Sequence, residues 1–437
     1  TDLSINFNSN TLGGLIQAGF KKSVKNKWWR LRAGMESHAD YSNGKGDRVF
    51  NTRFNGYYLK TTYGFEKAKW TSVTNLSALY NFAGFLLDGF NRIDTTETRW
   101  SRTLENNPSH RVIIHRMTSE NSIIINAQNR LYVNAGVQSN IRAESEGGGT
   151  ISVNMHLFNF QTLLKWQHQL SKNQKFILSN LNSFSDNKNF GPRKIIPDAE
   201  TTESNISFNH EIEWHDTWTL ENSLGIGFKQ IQTYFTPPLN NPAEEIKPFD
   251  KKSPFYNFLS GISYYPNEKF NFKLNVATGV RVGNSAELSS NGLREGSNFY
   301  EIGNPDLKNE KLTSLSLLAS WKRRKIELWF SPFYNIFSNY IYLTPVNEQW
   351  FGFPVYRYKQ QDAVQYGTEA AITIKPSERW RFKTSYSGII SKTADGNYTP
   401  FMPAQKIQPA LSYSWKLNTN RSASAILSAE HNLTQNK

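Results

Sequence analysis

Nine short polar turns, most of them carrying lysine, divide this 437-residue chain at intervals of about 42 to 60 residues. They lie at Lys22–Asn26, Glu66–Lys69, Asn126–Asn129, Ser171–Gln174, His215–Thr217, Pro266–Lys269, Lys322–Lys325, Pro376–Arg379 and Asn418–Asn420. Apolar and polar residues alternate into and out of each turn, so the chain reads as a series of long antiparallel hairpins. With tryptophan gathered at the turns, that rhythm is the pattern of a membrane-spanning β-barrel.

The hairpin at His215 makes the case residue by residue. Ile206, Phe208, Ile212 and Trp214 share one parity, and Trp218, Leu220, Leu224, Ile226 and Phe228 share the matching parity across the turn. A three-residue loop opposes Trp214 to Trp218 and puts both apolar sets on one face. The other face carries Asn205, Ser207, Asn209, Glu211 and Glu213 against Thr219, Glu221, Ser223, Gly225 and Gly227, and is wet. Leu315, Leu317 and Trp321 repeat the pattern into Ile326, Leu328 and Phe330, as do Leu411, Tyr413, Trp415 and Leu417.

A soluble sandwich also alternates, and the tryptophans separate the two folds. Trp28, Trp29, Trp70, Trp166, Trp214, Trp218, Trp321, Trp329, Trp380 and Trp415 lie within five residues of a short turn, whereas Trp100 and Trp350 do not. Sandwich tryptophans favour mid-strand core positions; the amphipathic indole favours the lipid–water boundary. No apolar run approaches the roughly 18 residues of a spanning helix, and the mean hydropathy is −0.59. Barrels hide their lipid face in every second residue, so both facts fit one.

The absence of cysteine excludes disulfide frameworks and thiolate metal sites. The net charge of +14 would suggest a nucleic-acid partner for a soluble protein. Much of it sits in turns such as Lys322-Arg323-Arg324-Lys325, where anionic lipid head groups or solubility account for it without nucleic acid.

Nine turns join eighteen strands between about Leu15 and Ala429, enough for a wide pore. The long connections are Ser37–Phe50, Gly84–Pro108, Arg142–Thr150, Ser183–Glu203, Gln232–Pro254, Arg281–Leu312, Tyr334–Gln365 and Ile389–Gln408. Outer-membrane barrels turn briefly on the periplasmic side and loop outside, so these eight are expected to face the medium. An open sheet leaves unpaired edges in lipid, so residues 1–437 read as a partial barrel domain truncated at both ends.

The loop after the sixth turn carries a more specific signal. It holds Arg281-Val-Gly-Asn-Ser-Ala-Glu287-Leu288, then Asn291-Gly292-Leu-Arg294, then Phe299-Tyr300-Glu301-Ile-Gly303-Asn304-Pro305-Asp306-Leu307, and ends at Glu310. This resembles the R-x-P-x-x-x-E-L, G-x-H and F-E-x-G-N-P-x-L-x-x-E signature in the barrel of TonB-dependent outer-membrane receptors. Gly136-x-Gln138-x-Asn140-x-Arg142-x-Glu144 resembles another strand of that family. Tyr334 with Asn339–Tyr342, Asp362-Ala363 before Gly367 and Glu369, and Met402-Pro403-Ala404 follow in the family's order.

The resemblance covers nearly the whole chain and implies strands two to nineteen of a 22-stranded, plug-filled barrel, with the plug, the TonB box and the last strands outside this sequence. It further implies a Gram-negative outer-membrane location and import of a scarce nutrient, a metal chelate such as a ferric siderophore, powered by the TonB energy-transducing complex through the N-terminal region. Haem or cobalamin is the alternative cargo. Haem receptors of the class carry F-R-A-P and N-P-x-L boxes with a histidine between them. Here Val280-Arg281-Val282-Gly283 replaces the first box, Asn304–Leu307 matches the second, and no histidine intervenes. An axial-ligand role in that loop is unsupported.

The eight histidines form no H-x-H or H-x-x-H cluster, and His38 with Asp40 is the closest His/Asp pairing in a loop, so solitary exposed histidines are expected rather than a metal site. Two readings compete for Arg281, Glu287, Arg294, Glu301, Asp306 and Glu310: a grip on an anionic chelate, or a scaffold for the loop's own backbone. A motif shared by receptors of many ligands favours the scaffold. Trp350, Phe351 and Tyr356, in the aromatic-rich segment 334–358, are the better candidates for ligand contact. A passive porin would share barrel, belts and turns. An enzyme would need a Ser/His/Asp constellation, and nothing resembles G-x-S-x-G. No catalytic residue, metal ligand or cofactor is therefore assigned.

Overall fold

In the computed structural model, residues 1–86, 96–236, 247–294, 299–418 and 421–435 are described. The strands are β1 Asp2–Asn8, β2 Gly13–Val24, β3 Lys27–His38, β4 Phe54–Glu66, β5 Trp70–Gly84, β6 Pro108–Ile124, β7 Asn129–Glu146, β8 Ile151–Ser171, β9 Gln174–Asn189, β10 Ala199–Trp214 and β11 Trp218–Thr233. They continue with β12 Asp250–Asn267, β13 Phe270–Arg281, β14 Asn291–Arg294, β15 Phe299–Ile302, β16 Glu310–Arg323, β17 Ile326–Trp350, β18 Phe353–Ile374, β19 Trp380–Thr393, β20 Lys406–Asn418, β21 Arg421–Ser428 and β22 His431–Asn432. One helical turn, α1 Ser285–Ser289, lies in the loop after β13.

Each long strand pairs antiparallel with its neighbour in sequence, except that β13 skips the short β14 and β15 to pair with β16. The eighteen expected strands are β2 to β13 and β16 to β21, and all nine turns fall where the sequence puts them, although Thr419 and Asn420 of the last lie outside the described residues. One further strand, β1, precedes them and pairs with β2 from Asp2↔Gly19 to Asn8↔Gly13. Among the described residues β1 and β21 each have one neighbouring long strand, so the sheet is open there.

The register confirms the two-faced reading. Trp214 opposes Trp218, Ile212 Leu220, Phe208 Leu224 and Ile206 Ile226. Leu224 and Ile226 are 56% and 62% exposed, as apolar side chains aimed at hydrocarbon must be outside a bilayer. The opposite face is hydrogen-bonded and polar: Ser179 and Ser207 hydroxyls meet at 2.7 Å, and Lys273 pairs with Glu221 at 2.7 Å.

Along the outer face near the short turns, Trp214 stacks on Trp218 (6.1 Å) and Trp218 on Tyr264 (4.1 Å), with Tyr264 beside Phe272 (6.5 Å) and Phe270 beside Trp321 (6.4 Å). This is the interfacial belt. Two tryptophans near turns depart from it. Trp28 and Trp329 have the inward parity, with Trp28 lying over Gly64, where a Cβ would meet its ring at 2.1 Å.

Segment Tyr334–Gln365 corrects the expected loop. It is the upper part of a hairpin in which β17 and β18 pair beyond the sheet's general rim and turn at Phe351-Gly352. Both turn residues have positive φ, +52° and +83°, as a two-residue hairpin turn whose twist matches its strands requires. Register shifts between Phe337 and Tyr340 and between Pro345 and Gln349 interrupt the alternation. The connections expected over Arg142–Thr150 and Ser183–Glu203 likewise shorten to residues 147–150 and 190–198, because β7 and β9 run on and β10 starts early.

Candidate functional site: the signature loop and its aromatic wall

The loop between β13 and β16 folds against the mouth of the sheet rather than hanging free. Asn284 caps α1, its side chain accepting from the Glu287 N–H at 2.9 Å while Glu287 Oε2 accepts the Asn284 N–H at 2.8 Å. The Arg281 guanidinium then spans two carboxylates, Glu287 at 2.8 Å to each oxygen and Glu310 at 3.1 and 3.0 Å. Planar, bidentate geometry makes arginine suited to such a bridge. Glu310 also accepts the Ile341 N–H at 2.8 Å, which ties the loop's last residue to β17.

A second centre forms around Glu301, which is 1% exposed. Its carboxylate accepts from the Ser290 hydroxyl (2.7 Å), Arg294 (3.1 Å) and the Tyr358 hydroxyl (3.2 Å). Burial raises the Tyr358 phenol above its ordinary pKa and the Glu301 charge raises it further, so it stays a donor. A buried carboxylate needs partners of this kind to offset lost hydration. β15 runs parallel to β18, Tyr300 opposite Val355 and Ile302 opposite Arg357, so β14 and β15 extend the tall hairpin sideways.

The NPDL turn is equally tied down. Gly303 donates to Ser290 at 2.7 Å, and a Cβ there would meet the Ser289 nitrogen at 2.5 Å and the Leu288 carbonyl carbon at 2.7 Å. The turn carbonyls of Pro305 and Leu307 accept from Lys251 at 2.9 and 2.6 Å. Leu307 packs with Ile231, Leu288 and Ile341 in a small core beneath the loop. Arg193 reaches in from the loop before β10, donating to the Leu293 carbonyl and to Glu144, each at 3.2 Å.

Arg281, Glu287, Glu301 and Glu310 therefore hold loop backbone and neighbouring strands. Arg281 and Arg294 still turn 43% and 41% of their side chains to solvent, and Asp306 is exposed. Of the aromatic candidates, Trp350 packs against the core of Tyr300, Ile302 and Val355 and lies 5.2 Å edge-on to Tyr300. Tyr356 lies tilted against Phe299 at 4.5 Å, and Phe351 at the hairpin tip is exposed. Arg357 lies over the Trp350 ring at 5.4 Å.

A further cluster escaped sequence reasoning. Asp40 and Arg53 have fully buried side chains, bonded at 3.1 and 3.2 Å, and Arg48 reaches Asp40 at 2.9 Å. Arg53 also contacts Glu97, so the connections after β3 and β5 are knotted together. Burial would raise the Asp40 carboxyl, but the Arg48 and Arg53 hydrogen bonds outweigh it and hold the pKa below its ordinary value. His38, expected to be exposed beside Asp40, is buried; it bonds the Thr11 hydroxyl at 2.7 Å and stacks on Phe54. The short D-Y-S and R-V-F-N-T-R stretches gave no periodic signal for this knot. Among the described residues no three His, Asp or Glu side chains converge as a metal site requires.

Solved structures share this architecture at low sequence identity. The "Copper transporter OprC" superposes with a TM-score of 0.77 at 11% identity, over 97% of this chain and 67% of its own. The FrpB iron transporter from Neisseria meningitidis gives 0.71 at 12%, over 96% and 66%, and the siderophore receptor PirA from Pseudomonas aeruginosa gives 0.66 at 12%, over 98% and 69%. The chain thus spans about two-thirds of the length of these relatives, and the likeness is one of fold. The family model described as "TonB dependent receptor-like, beta-barrel" matches residues 15–434, nearly the whole chain, and the protein belongs to the TonB-dependent receptors, a family of outer-membrane receptors and transporters rather than enzymes.

Proposed function

We propose that this chain is the greater part of the barrel of a Gram-negative outer-membrane importer that takes up a scarce metal chelate, such as a ferric siderophore, under the power of the TonB complex. Haem or cobalamin is the alternative cargo. The plug and the strands that complete the barrel belong, on this reading, to parts of the protein outside this sequence. The observation that carries it is the signature loop: Arg281, Glu287, Glu301 and Glu310 build a fixed shelf at the extracellular mouth of a polar wall lined by Asn134, Gln138, Asn159 and Gln161. A fixed shelf over a wet lumen suits capture of a bulky polar solute, which a passive pore would neither hold nor admit.

A metal-bearing cargo is supported by the relatives, a copper transporter, an iron transporter and a siderophore receptor. Contact with the cargo is assigned to exposed Phe351, to Tyr356 and Trp350 behind it, and to the solvent-facing edges of Arg281, Arg294 and Asp306, while Glu287 and Glu301 act through the arginines they hold. The test is titration of the full-length protein with ferric siderophores, a copper chelate, haem and cobalamin. Saturable, tight binding of a metal chelate supports the reading, and binding of haem or cobalamin alone replaces the cargo. Failure of every one, with free diffusion of small sugars through the protein, marks a porin.

A further inference from the structure

Near the short turns, part of the lipid face is notched rather than level. Phe272, Ala319, Phe330, Ala370 and Tyr386 stand side by side on β13, β16, β17, β18 and β19, each opposite the next. Bulky and small side chains alternate across the five strands, so the surface drops at the two alanines between aromatic walls. On the neighbouring rung toward the turns, Phe270, Trp321, Leu328 and Ile372 align in the same way. Phe270, Phe272, Leu328 and Phe330 are exposed apolar residues on the outward parity. Together the two rungs bound an apolar groove of about 500 Å³, within the range of sites that hold a small ligand.

The groove runs into a positive edge. Arg323 follows Trp321 on the same strand and the same parity, opposite Ile326 and about 7 Å further along at the ordinary strand rise. Arg324 and Lys325 form the turn beyond it. All three are exposed, and among the described residues none has an ion pair. The nearest carboxylate in sequence, Glu327, has the inward parity and is held by Lys375 at 2.6 Å. Tryptophan marks the lipid–water boundary, so these cations stand at the depth of lipid phosphates.

We propose that the groove and the Arg323-Arg324-Lys325 edge hold one anionic glycerophospholipid of the periplasmic leaflet, with an acyl chain over Ala319 and Ala370 and the phosphate against the cations. The site rests on the outer-membrane topology above and not on the cargo. Inside a bilayer every lipid offers similar tails, so the hydrophobic effect does not select an occupant. Filling the notches supplies dispersion contacts to any chain, and the cations then select by head group. A second copy of the protein fits this face less well. Copies related by an axis along the membrane normal keep their turns at one depth, so a contact centred here would bring the two sets of three cations together.

The experiment reconstitutes the full-length protein in equal amounts of phosphatidylglycerol and phosphatidylethanolamine, re-extracts it in mild detergent and counts the lipids that stay bound by native mass spectrometry. Wild type is expected to keep one phosphatidylglycerol, preferred over phosphatidylethanolamine by about tenfold. Replacing Arg323, Arg324 and Lys325 together by glutamine is expected to abolish the preference. Ala319→Leu with Ala370→Leu is expected to lose the bound lipid with the cations in place, and Lys22→Gln, an outward cation at another turn, to behave as wild type. Heat-modifiable migration on gels checks that each barrel is folded. Equal retention of the two lipids by wild type, or a preference that survives the three glutamines, overturns the head-group assignment. Retention unchanged by the two leucines overturns the groove. Dimers that the leucines dissolve reassign it to a second copy. Lipopolysaccharide bound there in protein taken from outer membranes places the groove in the other leaflet and inverts the topology itself.

Discussion

Glu301 is the residue on which the signature loop depends most. It receives a hydroxyl from each of two segments and a guanidinium from a third, so replacing it strands the Ser290 and Tyr358 hydroxyls and frees Arg294, which keeps a solvent-facing edge. Glu301→Leu is expected to cost about 3 kcal/mol of local stability, seen as faster hydrogen exchange of Ser290 and of β15; unchanged exchange would mean the three donors find water. Asp40 makes a pH-dependent claim. Its carboxyl lies below the ordinary 3.8, so its contribution is complete above that value and is lost as pH falls through the lowered pKa. Proteolysis in the connection after β3 is expected to accelerate in that acid window, and Asp40→Asn to be fast at every pH. A rate that is flat with pH in the wild type would contradict this. Neither cluster was fully legible beforehand. The signature motif announced Arg281, Glu287 and Glu301 as a set, but Asp40 pairs with arginines 8 and 13 residues on and Arg53 with Glu97 44 residues further, and only the fold brings them together.

At the scale of elements, periodicity carried the reading wherever one face meets lipid and the other water. The turns and the eighteen membrane strands followed because each slip of one residue would turn leucines into the lumen. Leu224→Arg is accordingly expected to cost about 2–4 kcal/mol near mid-membrane and Ser223→Arg much less, measured by reversible folding into bilayers; equal costs would refute the alternation. The top of β17 and β18 was illegible for the converse reason. Above the membrane no lipid face enforces a period of two, two register shifts and Pro345 blur what remains, and aromatics there look like a binding loop. β1 was overlooked although Leu3, Ile5 and Phe7 alternate with polar residues in full view. Gly352 is the hinge of the tall hairpin, at φ +83°, and Gly352→Val is expected to fray the tip at a cost of about 1–2 kcal/mol.

For the whole molecule, the wall, the belt and the shelf make one directional device: short turns and tryptophans at one end, the fixed loop and the tall hairpin at the other. In intact cells, protease is expected to cut the full-length receptor near Phe351-Gly352 or in residues 282–309, and cleavage confined to Lys322–Lys325 would invert the topology. The measurement that bears most directly on the account is uptake of a labelled metal chelate by cells carrying the full-length protein, before and after the proton-motive force is collapsed. An importer whose lumen is filled stops at once while surface binding of the chelate persists. Uptake that continues after collapse would mean the wall encloses an open pore, and would contradict the account.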